Sequence, residues 1–67
     1  METLGTALPK EQARVRIVLG HYKEIGPAGA LGALMIENSL RAADQAIIGG
    51  DLAAMIRAYE DLKSIQE

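Results

Sequence analysis

His21 is the only histidine in the 67 residues, and there is no cysteine. Glu24 stands one helical turn further on, so the two side chains have the spacing of a two-ligand fragment of a metal site. A zinc site takes three or four protein ligands, and neither an H-E-x-x-H run nor a Cys pair supplies the others; only a symmetric oligomer could complete it. A solvated surface histidine is the reading that needs nothing more. Ser39 and Ser64 are distant in sequence from His21 and lie outside any nucleophile-elbow pattern. The glycines of GPAGALG, residues 26–32, follow no strand and precede no Lys-Ser/Thr pair, so they do not form a phosphate loop. The expectation is a non-enzymatic chain with no catalytic, cofactor-binding or metal-ligating set.

Lys10, Arg14, Arg16 and Lys23, with His21 among them, give the first third of the chain a basic bias. A face of this kind can make weak, salt-sensitive phosphate contacts. Glu11 and Glu24 interrupt it, no helix-turn-helix signature accompanies it, and the net charge of the chain is −2. Nucleic-acid binding is therefore the secondary expectation. The same asymmetry has another use: the first helical segment is net positive and the last, with Asp51, Glu60, Asp61 and Glu67, is net negative, so the two attract.

The elements that position these residues are helical. Hydrophobic residues make up 49% of the chain but aromatics only 3%, so the core is built from Leu, Ile, Met, Val and Ala, and period-2 strand patterns are missing. Residues 1–8 lack period and read as a flexible arm. Pro9 suits the first position of a helix over 9–25, with Val15, Val18, Leu19, Tyr22 and Ile25 as its buried stripe. Gly26 and Pro27 stop it, and Pro27 can open a second helix over 27–48. On that helix Gly29, Gly32, Ala33, Ile36, Leu40, Ala43 and Ile47 share one arc, while Glu37, Arg41 and Asp44 mark the opposite, solvated side. Gly29 and Gly32 each weaken a helix, which keeps an irregular loop over 27–33 as the alternative. Gly49 and Gly50 end the second helix. Asp51 caps a third over 51–65, with Leu52, Met55, Ile56, Tyr59 and Leu62 facing inward.

Short connections make the second and third helices an antiparallel hairpin in an all-α, three-helix chain. A chain this small buries only about 60% of the surface its unfolded form exposes, and no disulfide is available to staple it. Completion by oligomerisation is expected, a dimer being favoured. The candidate contact is the uncharged face of Gly29, Gly32, Ala33, Ile36, Leu40 and Ala43. The first residues have neither the basic start nor the apolar run of a signal peptide, and no segment reaches the ~20 apolar residues of a membrane span, so a cytoplasmic location is expected.

Two resemblances add to this reading. GGDLAAMIRAYEDLK, residues 49–63, resembles the latter part of a tetratricopeptide repeat, with Gly50 and Asp51 at the turn and Tyr59 at the aromatic position. Met55 and Leu62 stand where the repeat takes small residues, and stacking needs about three repeats. The segments LPKEQARVR, HYKEIGPAG and GDLAAMIRAYEDLK resemble, by overall wording, a group of small helical proteins of bacterial prophages and tailed phages. That resemblance implies a phage-related accessory protein of the bacterial cytoplasm; an unidentified protein partner is the expectation of the non-enzymatic reading. The resemblance carries no activity, cofactor or site residue with it.

Overall fold

The computed structural model describes residues 2–66; Met1 and Glu67 lie outside the described residues. Three helices, α1 (Leu4–Ile25), α2 (Ala30–Gly49) and α3 (Leu52–Lys63), run up, down and up. A 3-10 turn over Gly26–Gly29 links the first two. Each helix packs on both others, and α2 and α3 form the expected antiparallel hairpin around Gly50 and Asp51. The fold is all-α.

Helix α1 begins five residues earlier than Pro9 suggests. Thr3 is the N-cap in extended conformation, and its carbonyl accepts from the N–H groups of Thr6 (3.0 Å) and Ala7 (2.8 Å). Residues 4–8 are therefore not a flexible arm. Leu8 is 0% exposed and Leu4 packs against the core. The physical reason is periodicity: Leu4, Leu8, Gln12, Val15, Val18 and Tyr22 continue one helical stripe through Pro9. Pro9 sits in the second turn and forgoes a bond to the carbonyl of Gly5. Both residues are exposed, so water can satisfy that carbonyl.

Gly26 (φ 84°) and Gly50 (φ 65°) stop α1 and α2 in the left-handed half of backbone space, and Asp51 caps α3 by accepting from the N–H of Ala54 at 3.2 Å. The loop alternative over 27–33 gives way to the 3-10 turn, which runs straight into α2.

The core consists of Leu8, Val15 and Val18 from α1, Ile36, Leu40 and Ala43 from α2, and Ala58 and Leu62 from α3. Leu19, Tyr22, Met55, Tyr59 and Ile65 are half-buried around it. Helix α3 is rotated relative to the expected stripe: Leu52 is 62% and Ile56 48% exposed, while Ala58 is buried. Ile25, also assigned to a buried stripe, lies on the surface, and Ile47 is partly exposed. The radius of gyration is 12.2 Å, against about 11 Å for a compact domain of this length. The bundle is slender, and a slender bundle leaves much apolar surface outside.

Candidate functional site

The small-residue face lies inside the chain. Gly29 and Gly32 bring the start of α2 against the end of α1: a Cβ on Gly29 would run into the carbonyl oxygen of Tyr22, and one on Gly32 would lie 2.5 Å from Cε2 of the Tyr22 ring. Ala33, Ile36, Leu40 and Ala43 continue that face and are all buried. The six residues expected to meet a partner are therefore occupied within the chain. Within the chain that face packs on α1 and α3.

Among the described residues the cations of the basic face are paired within the chain, and Arg14 alone of them reaches the backbone of another helix. Lys10 pairs with Glu2, Lys23 with Glu37 at 3.2 Å, and Arg16 with Asp44 at 3.9 Å. Arg14 turns toward α3. Its Nη2 donates to the carbonyl of Leu62 (2.8 Å) and its Nη1 to that of Ile65 (3.0 Å), while Glu11 holds the guanidinium from the other side at 3.1 Å. Those carbonyls belong to the last turn of α3 and the residues just beyond it, where the helix ladder runs out and the helix end carries partial negative charge; Leu62 O accepts also from the N–H of Ile65 at 3.1 Å. Among the described residues, Arg14 links α1 to α3 through the C-terminal backbone of α3. Lys10, Arg14, Arg16 and Lys23 thus each have an acidic partner, while the Lys10, Arg16 and Lys23 side chains stay more than half exposed in their pairs.

Gln12 was not singled out by sequence. It is buried at the α1–α2 boundary, and its Nε2 donates to Asp44 Oδ1 at 2.7 Å. Asp44, read as solvated, is indeed exposed, and it stands at the edge of α2 that faces α1, where it accepts from Gln12 and pairs with Arg16. A polar residue on the α1 stripe four positions after Leu8 was the available signal.

His21 and Glu24 are both exposed, and among the described residues no group of three or more His, Cys, Asp or Glu side chains could hold a metal ion. Ser64 Oγ donates to the carbonyl of Asp61 at 2.6 Å, as a helix-end hydroxyl does. Ser39 lines a shallow groove between α2 and the end of α3, with Tyr22, Gly32, Met35, Ile36 and Ile65. A second groove on the other side of α2 is bounded by Lys23, Pro27, Ala30, Leu34 and Glu37.

Exposed apolar surface lies at Ile17 on α1 and, more extensively, on the outside of the hairpin. Ile25, Leu31, Leu34, Met35, Ile48, Leu52 and Ile56 are exposed there and at its ends, and Leu31 (71%) and Ile48 (85%) extend furthest into solvent. Among the described residues no helix is long and apolar enough to cross a membrane. The class defined by these features is a slender up-down-up three-helix bundle whose candidate site is a surface, not an enclosed cavity. In comparison with known proteins, the chain matches no family model, no curated protein and no solved structure.

Proposed function

We propose that this is a non-enzymatic helical accessory protein that works by contact, associating with itself, as a dimer, and presenting helical surface to a protein partner. One observation supports it above the others. Among the described residues nine large hydrophobic side chains are between 38% and 85% exposed, whereas six, Leu8, Val15, Val18, Ile36, Leu40 and Leu62, are buried. Fully burying one such side chain contributes about 1.5–3 kcal/mol, so a surface of this kind gains by being covered. The setting we propose, a phage-related protein of the bacterial cytoplasm, rests on the resemblance of LPKEQARVR, HYKEIGPAG and GDLAAMIRAYEDLK.

Light scattering coupled to size exclusion tests the reading. We expect a mass of twice the chain at micromolar concentration, falling toward one chain on dilution. A folded monomer at every concentration up to the millimolar range would overturn it.

A further inference from the structure

The outer face of α2 has a pattern that the core does not explain. Leu31, Leu34, Asn38, Arg41, Gln45 and Ile48 follow one another at alternating intervals of three and four residues along the whole of α2, and all six are exposed. That is the seam spacing of a coiled coil, on the side of the helix turned away from α1 and α3. The seam is apolar at both ends and polar in the middle. We infer that α2 pairs with α2 of a second copy of this chain, antiparallel, about a two-fold axis crossing the helix between Ser39 and Leu40. This names the occupant and geometry of the self-association proposed above and rests on it.

The argument for a second copy is that the pattern is complementary to itself. Under that two-fold axis Leu31 lies against Ile48 of the second copy, Leu34 against its Gln45, and Asn38 against its Arg41. The two apolar ends cover each other, and the polar residues meet in the centre, where Arg41 Nη1 already donates to Asn38 Oδ1 of its own chain at 3.0 Å. A two-fold contact requires such self-complementarity, because each residue meets the partner's counterpart reciprocally.

Other alignments of the same seam are less complementary, since the antiparallel register staggers the two Arg41 side chains by three residues and sets each beside the second copy's Asn38. A parallel pairing sets the two Arg41 side chains directly opposite each other. Sliding the antiparallel pair by seven residues sets Arg41 against Leu31 in one direction and Asn38 against Ile48 in the other. Polar seam residues fix register in this way at some cost in affinity. Met35 and Ala42, exposed along one shoulder of the seam, add apolar surface beside it.

The absence of cysteine makes the geometry testable with single-cysteine variants and a short bis-maleimide. In the proposed dimer the two copies of residue 38 are separated by three residues along the axis, about 4.5 Å, and the two copies of residue 31 by seventeen, about 26 Å. Asn38→Cys is expected to give covalent dimer. Leu31→Cys and Ile48→Cys are each expected to give none alone, yet to cross-link when the two variants are mixed. Leu31→Glu, at a position with no place in the core, should raise the dissociation constant on the order of 100-fold while leaving the helical circular dichroism unchanged. Cross-linking of Leu31→Cys to itself, or a dimer mass insensitive to Leu31→Glu, would overturn the antiparallel seam and leave the dimer reading standing. A monomer mass for the unmodified chain at all concentrations would overturn both.

Discussion

Replacing Arg14 with alanine removes the only side chain shown bonding to the carbonyls of both Leu62 and Ile65. The magnitude can be worked from the contacts. A hydrogen bond to a charged donor contributes about 1.5–3 kcal/mol where it is sheltered. The Arg14 side chain is 40% exposed, Leu62 O keeps the N–H of Ile65, and water can reach a carbonyl at a helix end, so the lower part of that range applies to the two bonds together. We take about 2 kcal/mol for the pair, the favourable placement of a cation at a helix C-terminus included. For a domain of 60–100 residues each kcal/mol moves the melting temperature by roughly 4–8 °C, so Arg14→Ala should melt roughly 8–16 °C lower. Arg14→Lys should recover less than half of this, because a single ammonium cannot reproduce a fork that spans two carbonyls and a carboxylate. The assay is thermal and urea unfolding followed by circular dichroism, at one fixed protein concentration because self-association would add to apparent stability. Amide exchange should localise the early loss of protection to the end of α3. If Arg14→Ala melts within about 2 °C of the parent chain, or if Arg14→Lys is equivalent to it, the guanidinium does not hold α3 in the way described.

The other predictions probe the packing of α1. Leu8→Ala should destabilise by about 2–5 kcal/mol in urea unfolding, whereas a residue in a loose arm would show no change. Gly32→Ala, which places a Cβ against the Tyr22 ring, should cost about 1–3 kcal/mol, and pairing it with Tyr22→Leu should show a favourable coupling in a double-mutant cycle. Asp44→Ala leaves the buried Gln12 amide without its acceptor and should cost about 1–3 kcal/mol; Asp44→Asn, which keeps a carbonyl oxygen, should cost less. Equal losses for the alanine and asparagine variants would show that the Gln12 bond contributes nothing to stability.

The helices were legible because their stops are strong. Gly26, Gly50 and Asp51 mark them by local chemistry, and the 3.6-residue stripes of α1 and α2 select the right buried residues in Val15, Val18, Ile36 and Leu40. The N-terminal turn was not legible because Pro9 carries a strong local preference for a helix start, and only the burial of Leu8 against α2 and α3 outweighs it. The rotation of α3 escaped for a related reason. Leu52, Met55, Ile56, Tyr59 and Leu62 span too wide an arc to face one core, and Ala58, small and without a decisive preference, lets α3 come close on one side of that arc. The candidate site was the least legible part. A small-residue face and a basic face each have the composition of a recognition surface; the first is packed within the chain, and the second is paired within it while staying exposed. Composition cannot say whether a face meets its own chain or another.

The bonds that engage Gln12 and Arg14 have a consequence for the handedness of the bundle. Three helices joined by short turns can wind in two senses, with α3 placed on either side of the α1–α2 pair. A core of Leu, Val, Ile and Ala discriminates poorly between the two, since aliphatic side chains fill either arrangement at similar cost. The flanks of α1 do discriminate. One carries Gln12 and Arg16, matched to Asp44 on α2; the other carries Glu11 and Arg14, matched to the end of α3. Winding in the opposite sense would exchange those neighbours, leaving Gln12 buried without an acceptor and Arg14 away from the only helix end it can close. The polar edges of α1 thus favour one of two mirror-related topologies of this aliphatic chain.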